Sequence, residues 1–278
     1  MNPSLAMCNF ISDLQELKAF ALVHGFSGID WSFDLACLPS TAKEEMDWIQ
    51  AISRLAPLEV RYHCPFYKLD LGADNPIEAK KAEAVFQKII RLVSKVGGKF
   101  LSIHIGLGRN STEPLSWDRT VDNLRRLARY ASQRGVILCL ENLGWGWTSK
   151  PHLFEKLVRG SGVGVTFDVG HAYICESVQS HYYAIEDFVT PHADRVYNAH
   201  VYHTEIAGLG HIPPNHLDEV VDRLALLGEI GCLWWVLEVR EQDGLLRTKT
   251  IVDDYLTRNK DSEPSESHET MKGLGAVD

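Results

Sequence analysis

Six side chains that can bind a metal ion or transfer a proton follow short apolar segments of the sequence. Three are histidines and three are carboxylates: His63, His104, Glu141, Asp168, His200 and Glu238. Imidazole and carboxylate groups together are typical ligands of a divalent metal such as Zn²⁺ or Mn²⁺. Because an unpaired charge at a buried strand end is costly, the repeated placement favours one shared site over six unrelated structural residues.

Short apolar runs alternate with helical patterns along the chain, which indicates βα units and a parallel sheet. Eight strands are predicted at residues 4–10, 27–33, 58–64, 100–105, 136–141, 163–168, 195–202 and 232–238. Helices are predicted at residues 13–24, 43–55, 76–96, 116–133, 151–158, 181–190, 215–227 and 244–258. We therefore predict an α/β protein with a single (β/α)₈ TIM barrel, in which the carboxyl ends of the strands share one rim.

An open, doubly wound sheet is the alternative architecture. The sequence has no GxGxxG motif after its first strand and no Walker A motif, which that class uses to hold nucleotides. We assign the barrel to residues 1–258. Residues 259–278 are polar and rich in Ser and Glu, so we predict a flexible C-terminal tail.

Composition narrows the range of partners. The 278 residues carry a net charge of −9, which disfavours a broad nucleic-acid surface. The six cysteines form no CxxC pair, as is usual for reduced thiols of a cytosolic protein. The N-terminus lacks the features of a signal peptide, and no apolar run reaches the roughly 20 residues that span a bilayer. We expect a cytoplasmic protein with a small-molecule substrate and no membrane partner.

Five motifs carry a family resemblance over roughly residues 5–250. They are LSIHIG around His104, LCLENLG around Glu141, TFDVGHAY around Asp168, NAHVYH around His200 and VLEVR around Glu238. The set resembles the xylose-isomerase-like TIM-barrel superfamily, which holds sugar isomerases and epimerases, the sugar phosphate isomerase/epimerase family among them, together with endonuclease IV. Homo-oligomers are common among similar barrels, so the oligomeric state stays open.

The resemblance implies a metal centre and a reaction. Glu141, Asp168, His200 and Glu238 match the four metal ligands of ketose epimerases, whose two glutamates also exchange protons with the substrate. We therefore expect a metal-dependent isomerase or epimerase of a sugar or related polyhydroxy carbonyl compound. Its metal would stabilise an enediolate during proton transfer. Mn²⁺ and Zn²⁺ suit this ligand set best, and Mg²⁺ or Co²⁺ would also be tolerated.

Further candidates surround these ligands. By resemblance, His171 contacts substrate oxygens, and His63 and His104 hold either a second metal or the substrate. His203 is a further candidate for substrate contact. Arg240 is either a ligand for a carboxylate or phosphate or a solvated loop residue. Trp145 is either a wall for a sugar ring or a packing residue of the rim.

The rival template is endonuclease IV, a zinc-dependent phosphodiesterase that acts at abasic sites in DNA. By this resemblance, His63 and His104 would hold one zinc ion, and Asp168, His200 and Glu238 would hold a second. Glu141 would bridge the two ions. The third zinc would need His171 and an Asp-x-His pair after the seventh strand, where the chain offers only His203 and Glu205. Leu209 also replaces a family glutamate. A non-catalytic binding protein is the remaining alternative.

Overall fold

The computed structural model describes residues 2–262, with side chains described through residue 259, and has a closed barrel of parallel strands at its centre. The barrel strands are β1 (Ser4–Cys8), β2 (Gly28–Ser32), β3 (Glu59–Cys64), β4 (Phe100–Ile103), β5 (Ile137–Glu141), β6 (Gly164–Asp168), β7 (Val196–Val201) and β10 (Trp234–Leu237). Consecutive barrel strands are neighbours, and β10 closes the ring by pairing with both β7 and β1. The predicted (β/α)₈ TIM barrel is confirmed.

Helices surround the barrel and cover the outer faces of its strands. They are α1 (Leu14–Val23), α2 (Ala42–Ser53), α3 (Pro76–Lys95), α4 (Trp117–Ser132), α5 (Pro151–Ser161), α6 (Val169–Ile174), α7 (Glu176–Gln179), α8 (Val221–Glu229) and α9 (Gln242–Ser262). Within residues 2–262, none of them combines the length and the apolarity needed to cross a bilayer. The last helix continues past its predicted end at residue 258, and residues 263–278 of the predicted tail lie outside the described residues.

Local sequence signals set the start of several helices. The Asp13 side chain accepts hydrogen bonds from the first backbone N–H groups of α1, and Asn75 does the same for α3, whose first residue is Pro76. Thr41 and Glu44 form a capping box at the start of α2. Each signal depends only on residues within one turn, so these three helices begin within one residue of their predicted positions.

Polar contacts cross the interior of the barrel below the rim. Arg61 on β3 donates hydrogen bonds of 2.7 Å to the backbone of Tyr197 and to the side chain of Asn198 on β7, which is not a neighbouring strand. Asn198 donates to Thr166 at 3.0 Å, and Thr166 pairs with Ser102 at 2.6 Å. The barrel interior is therefore a solid, hydrogen-bonded column, and space for chemistry lies at its ends.

The region after β6 contradicts one prediction. The helix predicted at residues 181–190 is wrong: this segment contains a 3₁₀ turn at Ile185–Phe188, and a second follows at Thr190–Arg195. His181 adopts a left-handed backbone conformation with φ of 59°, which interrupts a helix. The helix that follows β6 is instead α6, which begins directly at the strand end with Asp168 as its cap.

The segment after β7 also differs from the prediction. Residues taken as a loop form an antiparallel hairpin of β8 (Thr204–Ile206) and β9 (Gly210–Ile212), with Glu205 paired opposite His211. Two glycines at its tip adopt positive φ angles, as a tight reversal requires. The helix predicted at residues 215–227 starts later, as α8, after the 3₁₀ turn Leu217–Glu219. Strands of three residues are too short to leave a periodic pattern in the sequence.

Because the barrel interior is closely packed, one added methyl group there should change the free energy of unfolding strongly. A Cβ atom at Gly28 would overlap the Trp234 ring and lie 2.8 Å from the carbonyl oxygen of Glu59. We expect Gly28→Ala to lower the free energy of unfolding by about 1–3 kcal/mol. Gly228→Ala is the matched control, because Gly228 is exposed in α8 and has no atom within 4 Å of an added Cβ. It should stabilise by up to about 1 kcal/mol. Equal midpoints in urea would contradict this account.

Candidate metal centre

Four side chains meet at the carboxyl rim of the barrel. Glu141 ends β5, Asp168 ends β6, His200 lies near the end of β7 and Glu238 follows β10, and all are buried. The Nδ1 atom of His200 lies 2.8 Å from Glu238 Oε2, 3.3 Å from Glu141 Oε1 and 3.8 Å from Asp168 Oδ2. Ligands about 2.1 Å from a tetrahedral metal ion lie about 3.4 Å from each other. The spacing of this quartet therefore fits a divalent cation.

A second group shares Glu141 with the quartet. His63 and His104 bring their Nε2 atoms to 3.3 Å from each other and to 3.2 Å and 3.1 Å from the two Glu141 oxygens. On the other side of the ring, His63 Nδ1 faces Asp30 at 3.5 Å. A carboxylate behind a ligating imidazole fixes the orientation of the ring. Glu141 therefore lies between two groups of potential ligands, as the bridging position of the endonuclease IV template requires.

A third group contains a residue that the sequence analysis did not select. His211 on β9 lies with His171 and Asp168 in a set whose candidate ligand atoms are within 4.8 Å of one another. Its ring stacks on Tyr202 at 3.9 Å, and its Nδ1 donates to the backbone oxygen of Glu238 at 2.9 Å. Glu205, its partner across the hairpin, lies 3.1 Å from His171. Only the hairpin brings these residues into the site, and its strands are too short to be detected as a periodic pattern.

Unpartnered polar atoms concentrate in these groups. Within the described part of the chain, most buried side-chain oxygens and nitrogens without a hydrogen bond belong to seven residues of the rim: Asp30, His63, His104, Glu141, Asp168, His200 and Glu238. Buried polar atoms are otherwise almost always satisfied in proteins. Buried carboxylate oxygens and imidazole nitrogens that cluster at one rim in this way are suited to binding a cation.

Electrostatics couple the carboxylates to the imidazoles. Burial by itself would raise the pKa of Glu141, but His200, His104 and His63 outweigh it and hold the pKa well below its usual range. Burial would lower the pKa of His63, and Glu141 and Asp30 overcome that effect and raise this pKa to about 10. For His200, Glu141 and Glu238 likewise raise the pKa well above its usual value against the effect of burial. Without metal, protons on the histidines compensate the buried carboxylates.

Asn142 fixes two of the strand ends relative to each other. Its side chain donates to the backbone oxygen of Asp168 and accepts from the backbone N–H of Asp168, both at 2.8 Å. Its own backbone oxygen accepts from His171 Nδ1 at 3.0 Å, which leaves Nε2 of that ring facing the hairpin. A Cβ at Gly170 would overlap Tyr202, so only glycine allows the first turn of α6 to lie this close. Asn142 is therefore a positioning residue for Asp168 and His171.

The remaining predicted site residues have different surroundings. His203 belongs to none of these ligand groups, and its ring packs against Tyr173 and the guanidinium of Arg223. Trp145 is half-buried beside the loop at Gly106. Arg240 is exposed and lines a rim cavity. Of these two histidines, His171 therefore lies among the candidate metal ligands and His203 does not.

Comparisons with known proteins agree with this fold. The sequence matches the family described as xylose isomerase-like TIM barrel over residues 19–240. An uncharacterized protein of Methanocaldococcus jannaschii is 29% identical over 197 residues, which are 71% of this chain and 80% of that protein. A D-tagatose 3-epimerase-like protein superimposes with a TM-score of 0.72 at 18% identity, covering 93% of this chain and 98% of its own. Endonuclease IV from Thermus thermophilus gives a TM-score of 0.67 at 16% identity, with 92% and 100% coverage.

Competition between protons and metal predicts the pH dependence of metal binding. The carboxylates of Glu141 and Glu238 have lowered pKa values and are already ionised at neutral pH, whereas His200 carries a proton that a metal ion must displace. Apparent Mn²⁺ or Zn²⁺ affinity should therefore rise with pH, about tenfold per unit for each proton released between pH 6 and 8. Calorimetry in buffers of different ionisation enthalpy measures the released protons. An affinity independent of pH would contradict the protonated state of His200.

Loss of the Asn142 side chain should weaken the quartet without removing a ligand. We expect Asn142→Ala to lower metal affinity by roughly 10–100-fold, because the Asp168 backbone loses both hydrogen bonds to this side chain, while the Asp168 carboxylate keeps the bond from the His171 N–H. Asn123→Ala is the matched control. Asn123 is also a buried asparagine that donates to a backbone oxygen, that of Leu71, but it lies on α4 and contacts none of the candidate ligands. Equal metal affinities in the two variants would exclude the positioning role.

Proposed function

We propose that this chain, which belongs to the family of xylose isomerase-like TIM barrels, is a divalent-metal-dependent isomerase or epimerase of a sugar or related polyhydroxy carbonyl compound. One observation carries the proposal: three carboxylate oxygens surround His200 Nδ1 at 2.8–3.8 Å in a buried site. Three oxygen donors and one nitrogen suit Mn²⁺ or Zn²⁺ first, and Mg²⁺ or Co²⁺ as alternatives.

Glu141 and Glu238 would supply the proton transfers. When bound, the metal would polarise the substrate carbonyl and stabilise the enediolate that forms after proton loss. Glu141 and Glu238 come from β5 and from the end of β10, which are separated by two strands around the barrel, so they approach the metal position from different sides. A carboxylate on each face of a carbon can remove a proton from one face and return it to the other. One such group alone suffices for aldose–ketose isomerisation.

His171 would orient the substrate. Its Nδ1 donates to the Asn142 backbone oxygen, and its Nε2 lies 3.1 Å from Glu205 of the hairpin, where a substrate oxygen would replace that carboxylate as the acceptor. Burial would lower its pKa, but Asp168 and Glu205 raise it to about 10, so the ring is a double N–H donor at neutral pH. A fixed cationic donor can bind a substrate hydroxyl or carbonyl oxygen.

The six unpaired cysteines support a reducing compartment, and a cytoplasmic location and homo-oligomerisation stay predictions.

Hydrogen exchange tests the proposal directly. Metal-loaded protein should exchange one substrate C–H proton with D₂O in at least one member of a panel of ketoses, aldoses and inososes. Glu141→Gln should reduce this rate by about 10²–10⁴-fold. Glu83→Gln, which removes an ion pair with Arg126 among the outer helices, should leave it unchanged. Absence of exchange across the panel by protein with bound metal would refute the isomerase or epimerase function.

Glu238 distinguishes epimerisation from isomerisation. If two carboxylates act on one carbon, Glu238→Gln should retain exchange of one epimer while the conversion between epimers is lost. If one carboxylate acts alone, product formation and exchange should change in the same proportion, both lost if it is Glu238 and both retained if it is Glu141. Because Glu238 also belongs to the metal quartet, the metal content of each variant must be measured beside the rates.

A metal-dependent phosphodiesterase acting at abasic DNA sites is the second candidate. The His63–His104–Glu141 group and the His171–His211 group support it, since each adds room for another cation beside the quartet. The net charge of −9 disfavours it. It requires more than one bound zinc and incision of a duplex with an abasic site. A single metal per chain and no incision would exclude it.

A further inference from the structure

A cavity of about 790 Å³ opens on the rim beside the metal centre and takes no part in holding the quartet. Its volume lies in the range of roughly 300–1,000 Å³ that is usual for small-molecule sites. Segments after β1, β2, β3 and β10 surround it, and Phe10, Phe33 and Phe66 form much of its apolar wall. Such a wall can pack against the carbon skeleton of a sugar and keep water from its polar groups.

The cavity adjoins the reacting end of the site. Two residues that line it are strand partners of rim residues: Ser32 pairs with His63, and Cys8 pairs with Asp30. Arg240 follows Glu238 by two residues, so their Cα atoms are at most about 7 Å apart. A substrate whose reacting carbon lies at Glu238 would extend its distal carbons into this space.

The polar side chains that line the cavity differ in the hydrogen bonds that they already make within the protein. Asn9 uses both ends of its amide on the backbone of Ser32, at 2.8 Å and 3.2 Å. Asp34 caps a 3₁₀ turn by accepting from the Ala36 N–H and faces the Cys37 thiol. Arg240, in contrast, has no hydrogen bond or ion pair with any described residue. A guanidinium in this position has five N–H donors that are free to bind a ligand.

We propose that Arg240 binds an oxyanion at the end of the substrate distal to the metal, so that the substrate is a polyhydroxy carbonyl compound with a phosphate monoester or a carboxylate group. The inference rests on the proposed isomerase or epimerase function. Arg240 is the cation that lines the cavity beside the buried carboxylates and histidines of the rim. The planar guanidinium matches the two oxygens of a carboxylate or phosphate in a bidentate contact, which a neutral hydroxyl cannot use fully.

A matched set of substrates tests the proposal. One ketose is compared as the neutral sugar, its terminal phosphate ester and its terminal carboxylate, with kcat and KM measured by hydrogen exchange. Arg240→Gln should raise KM for an anionic member by roughly 10–100-fold, the effect of a lost charged hydrogen bond. Its kcat, and both constants for the neutral sugar, should stay close to the wild-type values. A penalty confined to the ester or to the acid identifies the anion.

Arg195→Gln is the matched control, because Arg195 is also exposed but lies before β7, at the opposite end of the barrel. It should leave KM unchanged for every member of the set. Equal KM values of wild type and Arg240→Gln for all anionic members would overturn the proposal while the proposed function stood.

Binding measured without turnover distinguishes a failure of the Arg240 proposal from a failure of the proposed isomerase or epimerase function. Calorimetry compares wild type and Arg240→Gln with alditols and alditol phosphates or aldonates, which have no carbonyl group to react. Tighter binding of the anionic compounds, lost in Arg240→Gln and retained in Arg195→Gln, would support the subsite even if no exchange occurs. Equal binding of neutral and anionic compounds by wild type would overturn it.

Discussion

The compensation of buried carboxylates at the barrel rim is the constraint on which the site depends. Glu141, Asp168 and Glu238 are removed from water by the strands that carry them, and each would be costly if it stood alone. Histidines from three other strands approach the carboxylate oxygens of Glu141 and Glu238 to about 3 Å. The same carboxylates and imidazoles can bind protons or metal ions. The residues that compensate the buried charges, and so stabilise the fold, are therefore the ones that would form the reactive site.

The barrel below the rim serves this arrangement. Arg61 and Asn198 join opposite walls of the interior, and Asn198 is hydrogen bonded to the Ser102–Thr166 pair. Close packing leaves little freedom for a strand to slide, because a slip of one residue would exchange inward and outward side chains. Asn142 adds a direct link between β5 and β6. The geometry of the ligands is thus set by the register of the whole barrel.

The predictions that succeeded rest on strong local patterns. Glu141 ends a strand of apolar, mostly buried residues, and α2 begins near its predicted start because Thr41 and Glu44 cap it within four letters of sequence. The features that were missed depend on distant contacts. His211 enters the site only because its hairpin folds back onto Tyr202, and α6 starts at Asp168 because Gly170 allows the close approach. Neither contact leaves a periodic pattern of apolar residues that could be detected in a short stretch of sequence.

The hairpin of β8 and β9 has a consequence for how such a barrel can acquire new chemistry. Glu205 and His211 face each other across one short ribbon, so a contiguous stretch of chain supplies two side chains of the site. The ribbon is a surface appendage that contributes no strand to the barrel. Its length and its two inward side chains can therefore be exchanged without altering the register of the eight parallel strands. A fold built in this way can diversify its reactions by replacing one loop while its scaffold is retained.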